Sequence, residues 1–223
     1  MNKKVRLVHI LTDIESEREK VSIAHMSKVS GFGIEYVSQV NEIYDGDEWL
    51  DIPPLPGGST DYKKGHYGAF QSFKRAFLEQ YTPDLDALVM CECDCILSID
   101  TQKFATLVDR AIDFCNKHNK KYFSFGDTHV DGNIQSIVYG LDDEFPEFQI
   151  TTKTILAHCI LIPRHALDFF TQAFNTLSWE SPDIWFNEAI WRSGESSHAI
   201  MKKPVAFQHS GFSLIDRVWK KLQ

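Results

Sequence analysis

The sequence predicts an α/β domain with a mostly parallel central sheet flanked by helices. Three observations predict it. Apolar runs of strand length, "VRLVHIL", "IEYVSQV" and "DALVMCECDCIL", alternate with segments of helical period through the first half of the chain. The 223 residues suffice for one sizeable core. The 43% hydrophobic and 24% charged content is that of an ordinary globular chain.

The elements follow in order. "KKVRLVHILT" is rich in valine, leucine and isoleucine and reads as a buried strand. "DIESEREKVSIAHMSKVSGFG" carries Ser16 and Glu19 at capping-box spacing and ends in glycines, as a helix does. "IEYVSQV" is the second strand. The stretch from Asn41 to Gly65 holds three prolines and four glycines without a sustained period, so it reads as a long loop. From 66 to 81 helical spacing resumes, with Ala69, Phe73 and Ala76 on one face beside Phe70 and Phe77. The strand "DALVMCECDCIL" follows. Then comes an amphipathic helix marked by Phe104, Leu107, Val108, Ala111, Ile112 and Cys115. "KKYFSF" and "TILAHCILI" read as strands, and residues 126–152 between them show no assignable period. Ala166, Phe169, Phe170, Ala173, Phe174 and Leu177 mark another helix, and a short one starts at Pro182. A strand "SSHAIMKKPVAF" and a terminal helix near "LIDRVWKK" close the chain.

Charge narrows the function classes. With 31 acidic and 23 basic residues the formal charge is −8, which gives no support to a nucleic-acid acceptor held by phosphate neutralisation. The apolar run after "MNKK" is short and interrupted by Arg6 and His9, unlike a secretory signal. No window approaches the ~20 apolar residues of a membrane span. Five cysteines, three of them in one short segment, argue against a disulfide scaffold and for a reduced, cytoplasmic protein.

That segment, "CECDC" at 91–95, offers two ligand sets. On an extended strand Cys91, Cys93 and Cys95 share one face and Glu92 and Asp94 the other. Thiols in such a row stand roughly 6.5 to 7 Å apart, too far to close a tetrahedron round zinc. The row continues the face of Ala87 and Val89, so the thiols read as small hydrophobes. Glu92 and Asp94 would instead project together where the strand ends, and oxygen donors suit Mg²⁺ or Mn²⁺. The other reading makes them two surface acids on a frayed strand end.

An apolar strand ending in acid-x-Asp, preceded by a helix beginning "GHYGAFQSFKRA", resembles the nucleotide-sugar-binding half of a glycosyltransferase of the GT-A, Rossmann-like fold. Glu92-Cys93-Asp94 stands where that family has Asp-x-Asp. The resemblance implies one domain over 1–223, with a nucleotide-sugar-binding half at 1–100 and an acceptor-side half at 101–223. It implies transfer of a sugar from a UDP- or GDP-linked donor to a saccharide or other hydroxyl acceptor, assisted by Mn²⁺ or Mg²⁺. His209 is the implied further metal ligand, and it reads equally as a loop residue beside Ser210 and Gly211. Asp183 is the implied general base, with Glu188 as a substitute; Ser181, Pro182 and Asp183 also make an ordinary helix start. Thr12, Asp13 and Gln39, after the first two strands, are the implied nucleoside contacts, and the first two could cap the first helix. Lys64, placed just before the second helix, could meet a phosphate, and Gln71 and Lys74 face either donor or solvent. The loop from Asn41 to Lys63 is a candidate lid. Trp49, Trp179, Trp185 and Trp191 are candidate stacking faces or packing residues. Two other classes remain: a non-catalytic sugar- or nucleotide-binding module of the same fold, and a carboxylate-metal phosphoester hydrolase.

Overall fold

Parallel pairing of the first three strands organises the molecule. In this computed structural model the described residues are 3–12, 16–40, 60–126, 138–139, 142–151, 158–195, 198–208, 211–213 and 218–220. Strand β1 (Val5–Leu11) lies between β2 (Ile34–Val40) and β3 (Ala87–Glu92), parallel to both. Helix α1 (Glu17–Met26) leads from β1 towards β2 through a 3₁₀ turn at Ser27–Phe32, and Gly33 at φ 84° supplies the left-handed exit. Ser16 caps α1 by accepting from the Glu19 N–H.

Helix α2 (Thr60–Gln80) connects β2 to β3. It begins six residues earlier than its spacing predicts, because Gly65 is carried inside it at a cost of about 1 kcal/mol. The rest of the long loop, residues 41–59, falls outside the described residues. After β3 the chain turns at Cys93 and Asp94 into β4 (Cys95–Leu97). Helix α3 (Thr101–Lys117) follows, capped by Asp100, whose carboxylate accepts from the Lys103 N–H.

The second half is mixed. Its elements are β5 (Phe123–Ser124), β6 (Val138–Tyr139), β7 (Phe148–Thr151), β8 (Cys159–Pro163), α4 (Leu167–Thr176), α5 (Pro182–Arg192), β9 (His198–Met201) and β10 (Ala206–Gln208). The sheet order is β2-β1-β3-β8-β5-β9-β7-β6. Pairing is parallel for β2–β1, β1–β3 and β5–β9; β8 runs antiparallel to both β3 and β5, and β7 to both β9 and β6. Part of the region without sequence period thus supplies the edge strand β6 and its neighbour β7. The single strand expected over "SSHAIMKKPVAF" is two, β9 in the large sheet and β10 paired with β4. Pro204, which lacks an N–H for a ladder, lies between them. The expected terminal helix is a strand pair, β11 (Gly211–Ser213) with β12 (Val218–Lys220), in keeping with the strand preference of Val218 and Trp219.

Alternation along the central strands creates two cores. Val5, Leu7, Val89, Cys91 and Leu161 face α3 through Phe104, Val108 and Ile112. Val8, Ile10, Met90 and Ile160 face α2, α4 and α5 through Phe70, Phe77, Phe170, Phe174, Trp185 and Phe186. None of the described helices is long and apolar enough to cross a membrane.

One buried histidine sets an expected acid sensitivity. His198 on β9 is 4% exposed beside the Tyr122 ring, and its Nδ1 has no hydrogen-bond partner. Burial, with Lys120 adding to it, lowers its pKa to about 4. The unfolded chain therefore binds this proton first as pH falls. The contribution is complete above about pH 6.5 and is lost towards pH 4, with a slope of up to about 1.4 kcal/mol per pH unit. Denaturation midpoints measured across this range should fall, and His198→Gln should flatten the slope.

Candidate active site

The carboxyl ends of β2, β1 and β3 set the geometry. Ile10 on β1 pairs with Gln39 on one side and with Glu92 on the other. Parallel partners point to the same face, so Gln39, Ile10 and Glu92 all face the side covered by α2 and α5. Gln39 and Glu92 stand two strand spacings apart, about 9.5 Å. Gln39 is 7% exposed, and neither its amide nitrogen nor its amide oxygen has a hydrogen-bond partner. Such an amide costs about 1–3 kcal/mol unless a ligand meets it.

Glu92 is half-buried at the strand end. The Gln208 side chain donates to its Oε2 at 3.2 Å, and its N–H donates to the His158 carbonyl. Its own carbonyl lies 3.1 Å from Nε2 of His9, whose Nδ1 meets the Tyr36 hydroxyl at 2.9 Å. Burial lowers the His9 pKa to about 4, so a neutral ring holds this strand end. His209 directly follows Gln208 in sequence; it and Asp13 lie outside the described residues.

Asp94 departs from the sequence expectation. The strand stops at Glu92 and the chain turns, so alternation no longer applies. Asp94 is 5% exposed and forms an ion pair with Arg18 of α1, Nη1 to Oδ2 at 3.3 Å. Nη2 of Arg18 also donates to the Cys93 sulfur at 3.6 Å. The two acids therefore do not project together. Glu92 lies on the sheet face of Ile10 and Gln39, and Asp94 is buried with a guanidinium as counter-charge. Thr12 is held locally: its N–H and hydroxyl both donate to the Glu19 carboxylate, an arrangement that ties β1 to α1.

On α2, Phe70, Phe73 and Phe77 enter the core while Gln71 and Lys74 are half-buried. Lys64 lies within α2 rather than ahead of it, which removes it from the helix N-terminus. Asp183 occupies the first turn of α5, after Ser181 at the cap position and Pro182. It is half-buried, and the Asn187 amide donates to its carbonyl at 2.6 Å. Trp185 belongs to the core and Trp179 packs edge-on against Tyr67, while Trp191 is 75% exposed. Trp49 is outside the described residues.

Glu180 was not anticipated. Its Oε2 is buried without a hydrogen-bond partner, and burial, with Glu188 adding to it, raises its carboxyl above the usual range. The signal in the sequence was "WESPD", a second acid ahead of the proline that starts α5.

The thiols also depart from expectation. The turn takes Cys93 away to Arg18, and Cys91 and Cys95 meet Cys159 of β8. The sulfurs of these three lie within 4.8 Å of one another, closer than a fully extended row allows. Burial raises Cys91, and its hydrogen bond to Cys159 adds to this. Cys159 is itself buried, yet the thiols of Cys91 and Cys95 pull it below the ordinary range.

No protein-family model matches the chain, and no curated protein matches it. Among solved structures it is similar to a glycosyltransferase involved in the glycosylation of the major capsid of PBCV-1, with 9% identity, 96% of each chain covered and a TM-score of 0.46. It is also similar to 4-diphosphocytidyl-2C-methyl-D-erythritolsynthase from Anaerococcus prevotii DSM 20548, at 9% identity over 86% of this chain and 83% of that one, TM-score 0.42. A third is a putative glucose-1-phosphate thymidylyltransferase from Bacillus anthracis, at 10% identity over 90% of this chain and 69% of that one, TM-score 0.37. Identities and scores this low leave the function to be read from the chain's own residues.

Proposed function

We propose that this chain is a nucleotide-sugar-dependent glycosyltransferase whose donor lies across the carboxyl ends of β2, β1 and β3. The observation that carries the reading is the Gln39 amide, buried without a partner and on the same sheet face as Glu92. A nucleoside supplies the donors and acceptors that this amide lacks. Its diphosphate then runs past Ile10 towards Glu92 and the turn. Carboxyl strand ends are where open α/β sheets take ligands.

Glu92 offers a hard oxygen ligand to a divalent cation, and Asp94 would add a second by turning away from Arg18, its present partner. Glu92, with Asp94 and His209, would hold Mn²⁺ or Mg²⁺. The bound ion supplies Lewis-acid neutralisation of the leaving diphosphate. Arg18 contributes a permanent cation at the same turn. Gln208 orients the Glu92 carboxylate, and His9 holds its backbone. Asp183 takes the proton of the acceptor hydroxyl as that oxygen attacks the sugar's anomeric carbon. Glu180 is the second candidate for this role, favoured by its raised carboxyl.

Melting temperatures with and without UDP or GDP and Mn²⁺ test the reading. Nucleotide with metal is expected to raise the wild-type Tm. Gln39→Leu should abolish the rise while leaving the free protein as stable or more so. An unmoved wild-type Tm at saturating nucleotide rejects the donor site. Asp183→Asn should preserve the nucleotide-induced rise and cut transfer by about 10²–10⁴. Retained transfer in that variant, together with its loss in Glu180→Gln, would move the base to Glu180.

A further inference from the structure

We propose that Cys91, Cys95 and Cys159 form a buried, sulfur-only site for one Cu(I) ion, on the sheet face opposite Glu92. Cys91 and Cys159 are direct partners across the antiparallel β3–β8 pair. The Glu92 N–H goes to the His158 carbonyl, so Cys91 and Cys159 form a non-hydrogen-bonded pair, the type that brings side chains closest. Their sulfurs are 3.4 Å apart. The turn at Cys93 and Asp94 brings in the third thiol, and two contacts hold it there. Ser22 donates to the Cys95 carbonyl, and Gln208 of β10 pairs with Cys95.

All three sulfurs lie within 4.8 Å of one another, and all three residues are 0% exposed. Among the described residues no histidine or carboxylate joins the group at that separation. This donor set selects the ion. Zinc takes four ligands, or three and a water, and only three sulfurs converge here. Soft sulfur donors with no oxygen or nitrogen suit Cu(I). Each sulfur binds as a thiolate, its S–H bond breaking and its proton passing to solvent as the sulfur–copper bond forms. Neighbouring positions on this face hold Val89, Leu161 and Phe123, and His9, bonded to Tyr36 and Ser22, is the β1 register partner of Cys91.

The test is anaerobic titration of the full chain with Cu(I) against a bidentate copper(I) chelator. Uptake of one ion per chain with a thiolate-to-copper absorption band is expected, and X-ray absorption should show a shell of three sulfurs. Cys159→Ala and Cys91→Ala should each weaken retention at least 100-fold, with folding checked by circular dichroism. Cys93→Ala and Cys115→Ala should leave it unchanged. No retention by the wild type, a nitrogen- or oxygen-containing shell, or equal retention of Zn²⁺ by the same thiols overturns the proposal, even if a variant fails to fold. The nucleotide-induced rise in Tm reads the opposite face, so the two proposals stand or fall separately.

Discussion

Replacing Glu92 with glutamine should lower kcat for sugar transfer by on the order of 10²–10³, the range for removing one preorganised charge-stabilising group. The free protein's stability should barely change. Glutamine matches glutamate in size, and its amide oxygen still accepts from Gln208, so the local packing and hydrogen bond persist. The backbone anchors of residue 92, to His158 and His9, do not involve the side chain. Metal dependence should weaken in parallel, seen as a higher Mn²⁺ concentration for half-maximal activity. An E92Q enzyme with wild-type turnover and metal response would remove this carboxylate from the mechanism. Asp94 is a less clean target: its loss strands Arg18, and an uncompensated buried charge costs several kcal/mol whatever the chemistry.

Trp185→Ala should have the largest effect on stability, about 3–5 kcal/mol by urea denaturation, lowering Tm by roughly 10 °C or more. The indole is 1% exposed, stacks on Phe174 at 4.0 Å with an 11° interplanar angle, and touches Phe70 and Phe186. It joins α5 to α2 and α4, so its loss should also disturb the placement of Asp183. Trp185→Phe should cost much less, since it keeps the stacking and removes an indole N–H that has no hydrogen-bond partner. Trp191→Ala, on the exposed side of the same helix, should change stability by less than about 0.5 kcal/mol. Equal losses at 185 and 191 would contradict this account of the aromatic core.

The elements read from sequence were those governed by local rules. β1, β2, β3, α3 and α4 follow from apolar run length and helical period, and the α1 cap from Ser16. Where neighbours distant in sequence decide, the reading stopped. β6, at the sheet edge, and β7 beside it are short strands set by pairing with Thr151 and Met201 rather than by their own pattern. The prolines and glycines of 41–65 put Lys64 in a loop ahead of α2, whereas the helix starts at Thr60 and runs through Gly65.

The same division runs through the site. The sequence by itself determined that Glu92 would stand at a strand end with a second acid two residues on, and that Gln39 would stand at a neighbouring strand end. Their types and spacing are properties of the chain alone. Only the tertiary structure decided that Asp94 would be buried against Arg18, that one carboxylate oxygen of Glu180 would be buried, and that Cys159 would join Cys91 and Cys95. Each of those outcomes depends on which remote group reaches a given side chain after β3 turns and β8 runs antiparallel beside it. Local periodicity carries no information about that.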